Sequence, residues 1–200
     1  DLDGDGKISN GTNKLGDTGD YRIIGNSTPR FKYGITLDAA WKGFDFSIFM
    51  QGIGKRDLWL NGCYFWGANG QGNEWQSTGF AEHWDFFRPE GDPLGANLNS
   101  YYPRVNFSGD RNTKVQTRYL QNGAYLRLKN VQLGYTLPRV WTEKAGISSV
   151  RVYVSGDNLA TITSLSKIFD PEATGSLAGT GSGKLYPLQR VISVGVNVNF

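Results

Sequence analysis

The segment FKYGITLDAAWKGFDFSIFMQ, residues 31–51, decides the fold class. From Phe31 to Trp41 the odd positions hold Phe31, Tyr33, Ile35, Leu37, Ala39 and Trp41, while the even positions hold Lys32, Gly34, Thr36, Asp38 and Ala40. Successive side chains of an extended strand point to opposite faces, so this order gives one apolar face and one polar or small one. Lys42 and Gly43 follow, and then Phe44, Phe46, Ile48 and Met50 alternate with Asp45, Ser47, Phe49 and Gln51. Two such runs joined by two residues predict a β-hairpin.

The same rhythm recurs downstream. Val131, Leu133, Tyr135 and Leu137 share one parity, but Leu126 and Leu128 lie on the other, which predicts a bulge or an exit from the sheet near Lys129 and Asn130. Pro138 ends that strand, and Trp141 to Ala145 has the pattern of a helical turn. Val150, Val152 and Val154 make a further strand, and the last is the most regular: Ile192, Val194, Val196, Val198 and Phe200 against Val191, Ser193, Gly195, Asn197 and Asn199. The chain is therefore read as all-β, with about five antiparallel strands and no long helix.

Composition excludes several classes. No run of 18 apolar residues exists, so no helix crosses a membrane. One cysteine, Cys63, forms no internal disulfide and no Cys-based metal knuckle, and leaves the redox compartment open. A net charge of +3 with both signs interspersed lacks the clustered basic face that nucleic acid requires. The start at Asp1, without Met or signal peptide, is read as the interior of a longer polypeptide.

Connections alternate in length: residues 1–30 long, 42–43 short, 52–115 long, 138–148 short, 157–188 long. Transmembrane barrels carry short turns on one rim and long loops on the other. Phe31, Tyr33, Trp41 and Phe44 fall at strand ends, where aromatic girdles form. A soluble antiparallel sandwich uses the same alternation, and periodicity by itself leaves the two open.

Several blocks occur in a fixed order: Asp3-Gly4-Asp5-Gly6-Lys7-Ile8, Ile24-Gly25-Asn26-Ser27-Thr28-Pro29-Arg30-Phe31, Lys42-Gly43-Phe44-Asp45, Tyr125-Leu126-Arg127-Leu128-Lys129-Asn130, Leu133-Gly134-Tyr135-Thr136-Leu137-Pro138, Gly156-Asp157-Asn158-Leu159, Asp170-Pro171-Glu172 and Tyr186-Pro187. Together they resemble the C-terminal part of SusC/RagA-family TonB-linked outer-membrane proteins of Bacteroidetes, over essentially the whole chain. The resemblance implies the C-terminal portion of a large transmembrane β-barrel of about 22 strands. It implies a multi-pass location in the cell outer membrane, with 1–30, 52–115 and 157–188 as extracellular loops. The implied function is TonB-dependent import of glycans or oligopeptides, with TonB engaged through the absent N-terminal region. The implied partners are a SusD-like surface lipoprotein, outer-membrane lipid and the barrel-assembly machinery, the last reading Val196, Val198 and Phe200. The reading from another class is a secreted all-β glycan-binding module with a calcium-stabilised turn.

Asp1, Asp3 and Asp5 alternate ahead of Gly6, as in the first half of a Ca²⁺ loop, with the Lys7 carbonyl as backbone ligand. The twelfth position is Thr12 rather than Glu, so Asp17 or Asp20 would have to close a Ca²⁺ site; a solvated acidic turn is the plain alternative. Among Gly, Asn and Gln, Trp59, Trp66, Trp75 and Trp84 offer faces for sugar rings, or else pack the long loop on itself. His83 and Cys63 lack partners for catalysis, and Asp170 and Glu172 about Pro171 read as loop-shaping. No enzymatic constellation is recognised.

Overall fold

In the computed structural model, residues 1–12, 14–70, 79–107, 111–174 and 183–200 are described. One five-stranded antiparallel sheet dominates, formed by β1 (Phe31–Trp41), β2 (Phe44–Lys55), β5 (Tyr125–Thr136), β6 (Ser149–Thr163) and β7 (Val191–Asn199) in the order β1-β2-β5-β6-β7. A two-stranded ribbon, β3 (Asp57–Leu58) with β4 (Gln121–Asn122), sits beyond it. Short helices α1 (Cys63–Trp66), α2 (Arg139–Thr142) and α3 (Pro171–Thr174) interrupt the connections. The predicted hairpin forms on Lys42 (φ 47°) and Gly43 (φ 87°), both left-handed, as a tight turn matched to strand twist requires.

Register aligns the apolar parity across all five strands. Leu37–Ile48–Val131–Gly156–Ile192, Ala39–Phe46–Leu133–Val154–Val194 and Trp41–Phe44–Tyr135–Val152–Val196 form three adjacent rows on one face. The opposite face carries Asp38–Ser47–Gln132–Ser155–Ser193 and Thr36–Phe49–Asn130–Asp157–Val191. The predicted bulge is present: Leu128 and Asn130 take consecutive partners Met50 and Phe49, and Lys129 takes none in that ladder. Omitting one residue returns Leu126 and Leu128 to the apolar face. The neighbouring strand is irregular at the same level, where Asn158 adopts φ 52°.

Two strand ends differ from expectation. β2 continues to Lys55 and β6 to Thr163, so the loops expected from 52 and from 157 begin later. In β2, Gly52 and Gly54 remove the apolar signal, although the ladder with Tyr33 and Leu126 persists. The Tyr33 ring occupies the space a Cβ at Gly52 would need, and its hydroxyl donates to the Tyr125 carbonyl at 3.3 Å. In β6 the irregular stretch at Asn158 and the polar residues Thr161 and Thr163 erase the alternation.

The buried core is not on the sheet's apolar face. Ile192 and Val194 are 72% and 73% exposed, and among the described residues no second sheet or helix covers them. The core lies in the loops, where Leu58, Leu60, Phe65, Trp66, Tyr102, Tyr119, Leu165 and Phe169 pack together. The sheet thus turns its apolar side outward, while its loops build a hydrophobic cluster of their own.

Candidate functional site

The polar face meets the loops through an ionic cluster. Arg127 lies opposite Gln51 and Thr161 on that face, and its side chain is only 3% exposed. Its Nη2 donates to Asp170 Oδ2 at 2.7 Å, and its Nη1 lies 3.4 Å from Glu172 Oε2, which also pairs with Lys129 Nζ through Oε1 at 3.0 Å. Two cations face two anions, as burial of charge demands. Burial pushes the Asp170 carboxyl up, but the Arg127 guanidinium and the N–H groups of Ala173 and Glu172 outweigh it and hold the group below the usual carboxylate range. Asp170 also anchors α3, accepting the Glu172 and Ala173 N–H groups on Oδ1, which is the loop-shaping role expected of it. Arg56 Nη2 adds a bond of 2.6 Å to the Pro171 carbonyl.

The aromatic loop divides into packing and exposed parts. Trp66 is 2% exposed, edge-on to Phe65 at 5.0 Å and to Tyr119 at 4.8 Å, so it presents no face to a ligand. Trp59 packs on it at 5.9 Å, half-buried. For Trp66 the ligand-facing expectation is corrected to the loop-packing alternative, because a long loop in water buries its largest apolar areas first, while Trp59 keeps part of its ring exposed. Trp75 lies outside the described residues.

Trp84 is different. At 62% exposure it borders an open cavity of about 680 Å³ lined by Glu82, Asp85, Arg88, Asn97, Tyr101 and Gln121. These groups are held in place by one another. Asn97 Nδ2 donates to Asp85 Oδ1 at 2.9 Å, Gln121 Nε2 donates to the Tyr101 hydroxyl at 2.8 Å, and the Arg88 guanidinium stands 5.8 Å from the Trp84 ring centre. Glu82 accepts from the Tyr102 hydroxyl at 3.1 Å and from Ser166 Oγ at 2.8 Å, joining two loops. Burial, followed by the Glu82 charge, pushes the Tyr102 phenol up.

His83 takes no part in such a site. Its Nδ1 accepts the Phe80 N–H at 3.0 Å and its Nε2 is 3.0 Å from the Phe65 carbonyl, so both nitrogens are engaged in the neutral form. Burial holds its pKa below the ordinary histidine value, against the smaller opposing effect of Glu82. Cys63 opens α1 as a half-buried free thiol.

Of the residues expected to hold a metal, Asp1, Asp3 and Asp20 bring carboxylate oxygens within 4.8 Å of one another. The N–H groups of Gly4 and Gly6 donate to Asp1, and that of Ser9 donates to Asp20 at 2.7 Å. The Ser9 and Leu2 N–H groups hold the Asp20 carboxyl below its usual range. Asp5 instead accepts the Lys7 N–H at 2.8 Å, and Asp17 closes a separate turn by accepting the N–H and hydroxyl of Thr12. At the far end Val196 and Val198 stand on the apolar face opposite Val152 and Val150, and Phe200 is exposed.

The ionic cluster, with its partners 43 residues apart, was not anticipated; the charges of Arg127 and Lys129 within a strand were the available signal.

No protein-family model matches the chain. Over its whole length the chain is 32% identical to TonB-dependent receptor P3 of Formosa agariphila and covers 18% of that protein. It is 29% identical to TonB-dependent receptor P26 of the same organism, covering 19% of it. Among solved structures, the RagAB peptide importer in its closed-closed state superposes with a TM-score of 0.65 at 28% identity, over 90% of this chain and 18% of that one. The same importer in its open-open state gives 0.62 at 27% identity, with the same coverage. The chain therefore spans about a fifth of the length of the proteins it matches.

Proposed function

We propose, from the premise that this chain belongs to the TonB-dependent receptors of the SusC/RagA type, that it supplies wall, outer loops and closing strand to an outer-membrane nutrient importer. The observation that carries the reading is the inversion of the sheet, apolar outward in aligned rows and polar inward. In water that arrangement is unfavourable, because each large apolar side chain left exposed forgoes about 1.5–3 kcal/mol of burial. Against acyl chains it is the stable one. The two outermost strands leave unpaired backbone groups, which further strands of the barrel would satisfy.

In this reading the polar face lines the lumen, and the loop cluster caps it on the extracellular side. The short turns at 42–43 and 138–148 then lie in the periplasm. The cargo is a glycan or an oligopeptide, a SusD-like lipoprotein covers the loops, and TonB drives passage through a part of the receptor outside this chain. Val196, Val198 and Phe200 carry the assembly signal, and Asp1, Asp3 and Asp20 hold Ca²⁺. Transport needs no bond-making chemistry from these residues.

The test is uptake of labelled oligopeptides and of labelled oligosaccharides by cells with and without the receptor, alongside membrane fractionation. One cargo class lost with the receptor, and receptor found in the outer membrane, is the expected result. Unchanged uptake of both, or a receptor in the soluble fraction, refutes the proposal.

A further inference from the structure

Beside the ionic cluster lies a second cavity, of about 480 Å³, lined by Arg127, Asn158, Thr161, Asp170, Leu188 and Arg190. Three groups in its wall are unanswered. Arg127 engages Asp170 and Glu172 through its Nη atoms, but its Nε is buried with no hydrogen-bond partner among the described residues. Asn158, held at φ 52°, donates from Nδ2 to the Gln189 carbonyl at 3.0 Å, and its Oδ1 is likewise buried and unpartnered. Arg190 is exposed and has no carboxylate within ion-pair distance among the described residues. Because the Asp170 carboxylate is already taken by Arg127 at 2.7 Å, the Arg190 guanidinium is the uncompensated charge of the wall.

We infer that this cavity binds the free C-terminus of an oligopeptide, with the terminal carboxylate on the Arg190 guanidinium, the last peptide N–H donating to Asn158 Oδ1, and an aliphatic terminal side chain against Leu188. The inference rests on the reading of the polar face as the lumen of an importer, and it names the end of the cargo that is recognised. A buried donor or acceptor left unpaired costs about 1–3 kcal/mol, so a wall holding one of each is complementary to a ligand that supplies both. A peptide C-terminus does so within a few bonds: the carboxylate brings acceptors for the arginines, and the neighbouring amide brings the donor. The planar guanidinium fork matches a carboxylate in two parallel hydrogen bonds, which a neutral ligand does not reward. A neutral sugar brings no anion, and an acidic sugar brings no aliphatic side chain to Leu188, so the lining favours the peptide.

Equilibrium binding to the full-length protein in detergent tests this, with a fluorescein-labelled alanine hexapeptide ending in leucine as the probe, once as the free acid and once as the C-terminal amide. The acid binds about tenfold more tightly than the amide, as one charge-assisted contact implies. Arg190→Gln brings the acid down to the level of the amide and leaves the amide unchanged, and Arg190→Lys restores most of the preference. Methylating the nitrogen of the last peptide bond weakens the acid by about fivefold, because Asn158 Oδ1 then loses its donor. Failure of the parent protein to bind the acid, equal binding of acid and amide, or a preference that survives Arg190→Gln overturns the proposal. An N-methylated peptide that binds like the unmodified one overturns the Asn158 contact. Trigalacturonate held through Arg190 more tightly than the acid peptide assigns the cavity to an acidic sugar and overturns the peptide. Uptake of the same labelled peptide by cells reads the importer separately. Import without acid preference in binding refutes the cavity and leaves the importer, whereas acid-selective binding through Arg190 without import refutes the importer and leaves the cavity.

Discussion

Replacing Asp170 by Asn tests whether the ionic cluster fastens the outer loop to the polar face. The amide keeps an oxygen for the Glu172 and Ala173 N–H groups, and in place of the charged acceptor that faces Arg127 at 2.7 Å it sets an uncharged NH2 that cannot accept from the guanidinium. Arg127, 3% exposed, is then left with Glu172 at 3.4 Å, an anion already shared with Lys129. Breaking a buried pair by removing one partner typically costs 3–5 kcal/mol, and the residual Glu172 contact places this case at the lower end, about 3 kcal/mol. That energy is local, because the segment around α3 is held by Arg127, Lys129 and Arg56 rather than by the strand ladder. Amide hydrogen exchange of the full-length protein in detergent reads it directly. Residues 165–174 should exchange faster by on the order of a hundredfold, while β5 and β6 keep their protection.

The pH dependence follows with a definite sign. The folded Asp170 carboxyl lies below its unfolded value, so its contribution is present above about pH 4 and lost as pH falls further. The parent protein should show this acid-induced loosening of residues 165–174, and Asp170→Asn should lack it. Exchange within threefold of the parent in the variant, or an unchanged acid step, refutes the reasoning.

Phe65→Ala removes the fully buried ring at the centre of the loop cluster, and a loss of about 3–5 kcal/mol is expected in the melting of the loops, followed by near-ultraviolet circular dichroism while the far-ultraviolet strand signal persists. Gly195→Val sets a Cβ against the Tyr153 ring on the polar face, and overpacking of about 1–3 kcal/mol should appear as a lower thermal midpoint. Asp20→Asn should abolish the heat of Ca²⁺ binding in titration calorimetry, whereas Asp17→Asn should preserve it, because Asp20 and not Asp17 joins Asp1 and Asp3. Equal heats from the two variants would contradict that assignment.

The alternation of Phe31 to Met50 and of Val191 to Phe200 determined that the chain is β, where the hairpin turns, and that a bulge near Lys129 restores the parity of Leu126 and Leu128. These features are local: pleat, turn geometry and side-chain parity act between neighbours in the chain. Strand ends were less legible, because Gly52 and Gly54 in β2 and the polar Thr161 and Thr163 in β6 carry no apolar signal, though their backbones remain in the ladder.

Period two makes an apolar face but does not say what that face touches, and only the three-dimensional arrangement placed the core in the loops and left the sheet's apolar rows open. The same holds for the sites. Trp66 and Trp84 stand in similar sequence, yet one is buried and the other lines a cavity, and Arg127 meets Asp170 across 43 residues. Which aromatic is buried and which charges meet depends on how distant loops close over one another, and that is decided by packing and desolvation between segments far apart in the chain.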